Sequence, residues 1–495
     1  MTQSLRQRTA SGFLWSAAQR VSTLFITFVS SIVLARLLAP ADFGHIGMLM
    51  VFVAVSGTLI DGGFGAALIQ KKEPTSIDYS TVFYFNLVFS IAAYLVLFAS
   101  APAIAAMYGF GDLSLMLRVI ATVVIINALA IVQTNQLQKH LDFGRLAIVN
   151  LIPSTASTVV AIVMAMKGFG PWSLVFRVVL NSAMRSALCW LVSTWKPIRS
   201  FSFRAFRELI GFGGLVLLAD ATETAINQFV SFFIGRSYGA QDLGYYTQAT
   251  NLQQIPETTI PFVVGQVLFP VFSSIQDRVE AMKEAVKESL KALAFVNFPL
   301  MVLFMIVAEP LIVVLFTEKW LASVSYFRLL CLGGMLYSAN TCNVTVIKAL
   351  GQGRVFLRVS LLKRGISALA VLIGAQFGIY GIVAGLVASA YLWFPINAYW
   401  AGRMIGYGVV AQSRDIYASY VIAVLAGALV HAALVMVRID SAYLSLASRV
   451  VSYTALYAGL SWVFRREDTR KYSALFAQLI RSSMQRSVAA AGGRA

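Results

Sequence analysis

The sequence predicts an all-α integral membrane protein of 14 transmembrane helices: two six-helix lobes in parallel repeat plus two extra C-terminal helices, with the N and C termini cytoplasmic. Three observations carry that expectation. Hydrophobic residues fill 59% of the 495 positions and charged residues only 12%, against roughly 25% charged in soluble domains. The mean hydropathy of +0.77 agrees. The apolar residues gather into fourteen runs, each near the ~20 residues that one crossing requires. Basic residues then fall almost wholly on one side of those runs. Disordered, collagen-like and disulfide-scaffold classes are excluded, and soluble enzymes effectively so.

The runs lie near 12–38, 45–69, 79–105, 113–138, 146–166, 170–194, 209–235, 245–275, 290–316, 322–347, 358–376, 379–402, 416–437 and 442–464. The first follows Arg6 and Arg8 like a signal peptide, but it is long enough to span and no small-residue cleavage site closes it, so it is read as a helix that stays. The breaks carry turn residues: Ala39-Pro40-Ala41-Asp42, Lys71-Lys72-Glu73-Pro74, Tyr108-Gly109-Phe110-Gly111-Asp112 and Gly168-Phe169-Gly170-Pro171. With these spans, 28 Lys and Arg residues fall on the side of the termini and 5 on the other. One missed helix would scramble that split, so both termini are assigned to the cytoplasm. The net charge of +18 is thereby absorbed by topology, and nucleic acid is not a partner.

The parts follow: an N-lobe over 1–194, a cytoplasmic linker over 195–208, a C-lobe over 209–402, two added helices over 403–464 and a basic cytoplasmic tail over 465–495. Residues 276–291 read as an amphipathic helix with Val279, Met282, Val286 and Leu290 on one face. The tail carries a shorter stripe of Leu475, Leu479 and Met484, suited to the membrane surface. Cys189, Cys331 and Cys342 lie in apolar segments without a C-x-x-C pair, and His45, His140 and His431 are scattered, so no disulfide framework or metal site is expected.

A repeat supports the two lobes. Arg36, Asp42 and Gly44 recur as Arg236, Asp242 and Gly244 at a constant offset of 200. Lys139, Gly144 and Arg145 recur as Lys348, Gly353 and Arg354 at an offset of 209. Six helices per copy is an even number, so both halves share one orientation, the arrangement of parallel-repeat transporters.

Polar residues inside the spans mark the candidate site. A charge at the bilayer centre costs at least about 2.5–3.5 kcal/mol on insertion scales, so it faces a bundle interior or a wet cavity. The first helix presents Arg20, Thr23, Thr27 and Ser31, and the seventh presents Asp220, Glu223, Asn227 and Ser231 at the same positions plus 200. The reading is a hydrophilic cavity between the lobes; a structural ion pair of Arg20 with Asp220 is the competing one. The sixth helix adds Arg177, Asn181 and Arg185 at i, i+4 and i+8, the eighth Gln248, Asn251, Gln254 and Glu257, and the tenth Asn340, Thr341 and Asn343. Arg177, Arg328 and Arg449 can either snorkel to an interface or face substrate. Asp61, in Gly57-Thr-Leu-Ile-Asp61-Gly-Gly-Phe-Gly65, sits among glycines that suit tight helix packing.

Phosphate-loop and Asp-x-Asp motifs are missing, and no outer loop is large enough for a catalytic site, so an enzyme is not expected.

The segments Phe13-Leu-Trp15…Arg20, Ile32-Val-Leu-Ala-Arg36-Leu-Leu-Ala-Pro-Ala-Asp42-Phe-Gly44 and Asp61-Gly-Gly-Phe-Gly-Ala-Ala-Leu-Ile-Gln70 resemble the Wzx-type polysaccharide flippases of the multidrug/oligosaccharidyl-lipid/polysaccharide exporter superfamily. The link Trp195-Lys-Pro197…Phe206-Arg-Glu-Leu-Ile-Gly-Phe212-Gly213 is similar too. The resemblance implies an alternating-access flippase of the bacterial inner membrane. Its substrate would be undecaprenyl-pyrophosphate-linked oligosaccharide repeat units for exopolysaccharide, capsule or O-antigen. Arg20 would hold the pyrophosphate, with Thr23, Thr27, Arg177, Asn181, Arg185, Asn227 and Gln254 lining the substrate cavity. Asp220, Glu223 and Glu257 would couple to an H⁺ or Na⁺ gradient, or the membrane potential alone would drive export, and no cofactor is expected. Lipid-linked oligosaccharide, membrane lipids, a polysaccharide polymerase and a chain-length regulator are the expected partners. The alternative is a multidrug or peptidoglycan-precursor exporter of the same superfamily.

Overall fold

A backbone group that enters hydrocarbon must find its partner within its own segment, so spans of this composition fold as helices. The computed structural model describes residues 2–71, 73–140, 142–437, 439 and 441–472. Within these, the side chains of 2–18, 20, 66, 70, 143, 212, 215, 219, 223 and 258–267 lie outside the description.

The elements are α1 (Thr2–Leu37), α2 (Pro40–Asp61), α3 (Phe64–Gln70), α4 (Ser76–Tyr108), α5 (Leu113–Ile120), α6 (Thr122–Lys139), α7 (Phe143–Met166) and α8 (Pro171–Val192). They continue as α9 (Phe203–Ser274), α10 (Val279–Phe316), α11 (Ser323–Gly334), α12 (Tyr337–Ala349), α13 (Gly353–Gly374), α14 (Gly378–Ile405), α15 (Val409–Met436) and α16 (Ala442–Phe464). Among the described residues there is no strand, and nine helices are long and apolar enough to cross a bilayer, or ten if the bent pair in α9 counts as one span.

Several boundaries differ from expectation for local reasons. The second apolar run breaks into α2 and α3 because Gly62 and Gly63 both adopt left-handed backbone, at φ +57° and +67°. Two expected spans, 209–235 and 245–275, join into α9, which leaves helical geometry at Gly239 (φ +86°) and bends by 54° between Gly211 and Val216. The amphipathic segment 276–291 is not separate from the span after it; both belong to α10. The stripe of Leu475, Leu479 and Met484 lies outside the described residues. Starts are capped as their sequences suggest: Thr75 and Asp78 form a capping box on α4, and the Asp142 carboxylate accepts the Arg145 N–H on α7.

The chain divides into two compact units, Met1–Gln248 with Leu315–Trp320, and Ala249–Val314 with Leu321–Ala495. In the first, α1 packs on α7, α7 on α8, and α6 on α4 and α8. The segment after α8 is tied to α4, where the N–H groups of Ile198 and Ser202 donate to the buried hydroxyls of Ser80 (3.0 Å) and Thr81 (3.1 Å). Lys71 meets Asp78 at 3.1 Å and Glu208 at 3.2 Å. Burial works against that ammonium charge, but the two carboxylates outweigh it and raise its pKa above the ordinary lysine value.

The repeated Gly44 and Gly244 have a packing reason. A Cβ on Gly44 would fall 1.7 Å from the Ala240 carbonyl oxygen, and one on Gly244 would fall 1.9 Å from that of Pro40. Pro40 and Ala240, like Gly44 and Gly244, are 200 residues apart, so the contact is reciprocal, as in a twofold interface. The short Leu315–Trp320 segment closes beside it. Lys319 donates to the carbonyls of Arg36 (2.8 Å) and Leu38 (2.6 Å), and the Trp320 indole donates to that of Ala35 (2.8 Å). These bonds satisfy carbonyls at the end of α1 and just past it, which no helical N–H can reach. The Trp320 ring stands edge-on to both Phe43 and Tyr245. Burial pulls the Lys319 pKa below the ordinary lysine value, with the Asp42 charge opposing.

Prolines inside helices explain several polar side chains. A proline lacks the N–H that would bond the carbonyl four residues earlier. Pro102 thus orphans the Phe98 carbonyl, which Arg118 Nε fills at 3.4 Å. In the second unit, Pro299 orphans Phe295 and Pro310 orphans Ile306 on α10. Tyr457 OH donates to the first at 3.0 Å and Arg449 Nη1 to the second at 2.8 Å. Arg449, which the sequence left open between an interface and substrate, thus serves a backbone carbonyl of α10. Arg328 is likewise engaged, with the Met305 carbonyl (3.3 Å) and Glu309 (3.8 Å). Tyr457→Phe should leave a buried carbonyl unanswered and cost about 1–3 kcal/mol. A thermal melt of the purified protein should show the loss, and an unchanged midpoint would remove the proline-partner account.

The second unit also holds a buried amide network. Asn397 donates to Asn340 at 2.7 Å, Asn343 and Gln412 exchange hydrogen bonds at 2.8 and 3.1 Å, and Gln412 reaches the Tyr407 carbonyl at 3.0 Å. Asn297 donates to the carbonyls of Gly334 and Met335, at 3.1 and 2.6 Å, where α11 gives way to α12. Asn340 and Asn343 thus hold helices together. Helices α13 and α14 approach closely at Gly374 and Gly381, where a Cβ on either would lie 2.2 Å from the other's carbonyl oxygen.

Candidate functional site

Two adjoining cavities occupy the first unit. The larger, of about 790 Å³, is lined by α2, α6, α8 and α9 together with the Gly62–Gly63 break. The smaller, of about 270 Å³, lies among α1, α7 and α8. Val178 and Ser182 of α8 line both.

Helix α8 supplies the cations. Arg177, Asn181 and Arg185 share one face because their spacing of four follows the 3.6-residue turn. Arg177 lines the smaller cavity and donates from Nη1 to Ser30 Oγ at 2.8 Å. Asn181 donates to Ser157 Oγ at 3.4 Å. Arg185 lines the larger cavity, and its Nε is buried without a hydrogen-bond partner among the described residues. Neither arginine makes an ion pair among the described residues.

The acids of the larger cavity come from α2 and α9. Asp220, Thr224 and Asn227 face the larger cavity from α9, at spacings of four and three. Asp61 faces it from the end of α2 and accepts the Gly65 N–H. A Cβ on Gly65 would sit 2.8 Å from Asn135 Nδ2 and 3.1 Å from Asp61 Oδ1, so the absence of a side chain lets those two groups converge. A Thr58–Thr224 hydrogen bond of 3.0 Å ties α2 to α9 beside the acids. At the α2–α3 break, a Cβ on Gly63 would lie 2.1 Å from the Gly213 carbonyl oxygen, so the two backbones meet directly.

The residues expected to form the site are only partly gathered. Thr27, Arg177 and Asn181 line the smaller cavity, and Arg185, Asp220 and Asn227 the larger. Thr23 is half-buried on α1 and lines neither. Gln254 is exposed and Glu257 half-buried in the second unit, where Glu257 bonds Gln253. The side chains of Arg20 and Glu223 lie outside the described ones. Asp61, whose glycine-rich surroundings also suit tight helix packing, enters the site. Asn127, Thr134 and Asn135 of α6 enter too; their spacing of seven and eight was a readable helical stripe. The hydroxyls of Ser30, Ser154, Ser157 and Thr158 gave no signal, because serine and threonine in apolar helices commonly bond their own backbone.

The chain matches the family described as polysaccharide biosynthesis protein over residues 33–325, more than half its length. It belongs to that family. Among relatives, it is 25% identical to the succinoglycan biosynthesis transport protein ExoT of Rhizobium meliloti (strain 1021), over 81% of this chain and 79% of that protein. It is 26% identical to the lipopolysaccharide biosynthesis protein WzxC of Escherichia coli (strain K12), over 78% and 79% respectively. The fold is similar to the lipid II flippase MurJ in an inward closed conformation, with a TM-score of 0.73 at 14% identity, covering 92% of this chain and 99% of that one. The resemblance to Wzx-type flippases therefore holds at the level of the family, and this polysaccharide biosynthesis protein is a multi-pass protein of the bacterial inner membrane. Of the relatives named here, ExoT is described as a transport protein.

Proposed function

We propose that this protein moves undecaprenyl-pyrophosphate-linked oligosaccharide repeat units from the cytoplasmic to the periplasmic leaflet, for exopolysaccharide, capsule or O-antigen assembly. The observation that carries the reading is the unpartnered Arg185 Nε, buried in a polar cavity that Asn127, Asn135 and Asn227 also line. A sugar diphosphate cannot enter hydrocarbon bare. Guanidinium groups offset phosphate charge and can bind it in bidentate fashion, while amides and carboxylates exchange hydrogen bonds with sugar hydroxyls.

In this reading the chain crosses the membrane fourteen times with both termini cytoplasmic, which the split of basic residues supports. The parts are a lobe over 1–194, a linker over 195–208, a lobe over 209–402, added helices over 403–464 and a basic tail. That orientation puts the Gly44–Ala240 contact at the periplasmic end. The protein works by alternating access and carries out no chemistry on its substrate. Arg20 joins Arg177 of α8 in meeting the diphosphate, and Arg185 meets the sugar part of the headgroup. An anion leaving the cytoplasm runs down an inside-negative potential, gaining about 2.3 kcal/mol per charge per 100 mV. Asp220, Glu223 and Glu257 are the groups through which H⁺ or Na⁺ would couple. A polymerase and a chain-length regulator would receive the product.

The deciding experiment is leaflet sidedness in cells depleted of the protein, read with a membrane-impermeant glycosidase added to the periplasm. Repeat units should accumulate in the protected cytoplasmic leaflet. Undiminished cleavage in depleted cells would assign flipping to another protein.

A further inference from the structure

We propose that the headgroup site is divided by charge: the smaller cavity, around Arg177, takes the diphosphate, and the larger, around Asp61 and Asp220, takes the sugars. The inference rests on the lipid-linked oligosaccharide reading above and assigns the parts of that substrate to separate places.

The linings differ in kind. The smaller cavity offers one guanidinium, the Asn181 amide and the hydroxyls of Thr27, Ser30, Ser154, Ser157 and Thr158, with no carboxylate among its lining residues. Every one of those groups can donate a hydrogen bond to a phosphate oxygen. Arg177 has five N–H donors and spends one on Ser30 among the described bonds, so the rest of its fork is available to an anion. The larger cavity also holds a cation, Arg185, but two carboxylates share it. A diphosphate placed there would face like charges on both α2 and α9. Sugar hydroxyls donate to carboxylates and accept from Asn127, Asn135 and Asn227, so the same lining suits a neutral ring.

Size and connection agree. Pockets for drug-sized ligands run to roughly 300–1,000 Å³. The larger cavity, at about 790 Å³, falls within that range, and the smaller, at about 270 Å³, falls just below it and suits a compact group. Eight helical residues separate Arg177 from Arg185, a rise of about 12 Å. The cavities adjoin at Val178 and Ser182, as a diphosphate adjoins its first sugar.

The test uses the full chain in nanodiscs and four probes: farnesyl diphosphate, farnesyl monophosphate, inorganic pyrophosphate and lipid-linked oligosaccharide extracted from depleted cells. Arg177→Gln should weaken farnesyl diphosphate binding by about tenfold or more, the loss expected for a charged hydrogen bond. Arg177→Lys should recover part of it. The pair Asp61→Asn with Asp220→Asn should keep farnesyl diphosphate binding and weaken only the lipid-linked oligosaccharide. The diphosphate should bind more tightly than the monophosphate, since the lining meets both phosphates. A Thr27→Cys thiol should be shielded from maleimide by farnesyl diphosphate while an Asn127→Cys thiol stays reactive, which reads the division without altering Arg177.

Unchanged farnesyl diphosphate binding by Arg177→Gln, an equal loss in the carboxylate pair, or shielding at Asn127→Cys overturns the division. Inorganic pyrophosphate binding as tightly as farnesyl diphosphate would make the small cavity a site for a free anion and also overturns it. If extracted lipid-linked oligosaccharide fails to bind the wild type at all, the proposed function itself falls. If it binds wild type and Arg177→Gln alike, only the division falls.

Discussion

Gly44→Ala is expected to leave the protein in the membrane and to cripple export. The added Cβ would lie 1.7 Å from the Ala240 oxygen, 2.4 Å from its carbonyl carbon and 2.8 Å from its Cα. All three are backbone atoms, so no rotamer change relieves the collision, and α2 must part from the 240–244 segment. Overpacking of this kind costs about 1–3 kcal/mol and occasionally more, which shifts closure of that end by roughly tenfold to a hundredfold. Gly244→Ala should behave alike, because its Cβ would meet the Pro40 oxygen at 1.9 Å. Two other glycines calibrate the result. At Gly235 the nearest atoms, 3.1–3.3 Å away, belong to the side chains of Leu243, Met48 and Tyr108, which can yield, so alanine there should export better than at Gly44. At Gly365 nothing lies within 4 Å, and alanine should be neutral or stabilising. The readouts are periplasmic repeat units and labelling of a Thr27→Cys thiol by a membrane-impermeant reagent, which should rise in Gly44→Ala. Wild-type export and labelling by Gly44→Ala would show that this contact plays no part in the cycle.

Arg185→Gln should separate stability from function. The Arg185 Nε is buried and unanswered among the described residues, a state that costs about 1–3 kcal/mol. Glutamine removes that burden, so the thermal midpoint should hold or rise. Export should nevertheless fall by at least about tenfold, since a charged hydrogen bond to substrate is lost. A structural arginine would give the reverse, a lower midpoint with export reduced only in proportion to protein level. That pattern would remove Arg185 from the substrate path. Arg449→Met serves as the structural comparison, because its guanidinium already fills the Ile306 carbonyl.

Much of the architecture was legible because hydrocarbon imposes a simple rule on composition, and α8 shows how far that reaches. Its Arg177–Asn181–Arg185 stripe could be read from helical period alone, and the same period was present in Asn127, Thr134 and Asn135. Asp61 was harder. It stands at the last residue of α2, and whether it faces a neighbour or a cavity depends on the left-handed turn of Gly62 and Gly63 that follows. The part Arg449 plays was not legible, because its partner is a carbonyl 143 residues away, exposed by a proline on another helix. Gln254 and Glu257 were read as site residues from their polarity within an apolar span, and the structure places them in the second unit. The repeat of Gly44 and Gly244 was visible as a pattern, but a pattern of glycines does not state that each makes room for the other's copy.

That reciprocity constrains how the end can open. The Gly44–Ala240 and Gly244–Pro40 approaches are two halves of one contact, carried on the same two short segments. Neither can separate while the other stays seated, so partial opening gives up most of the packing and gains no passage. Such a latch would have two positions with a barrier between them, in the manner of bistable interfaces. Substrate and driving force would then act on how often it trips and not on how far it swings. Transport would advance in discrete, all-or-none events, with leakage between them suppressed.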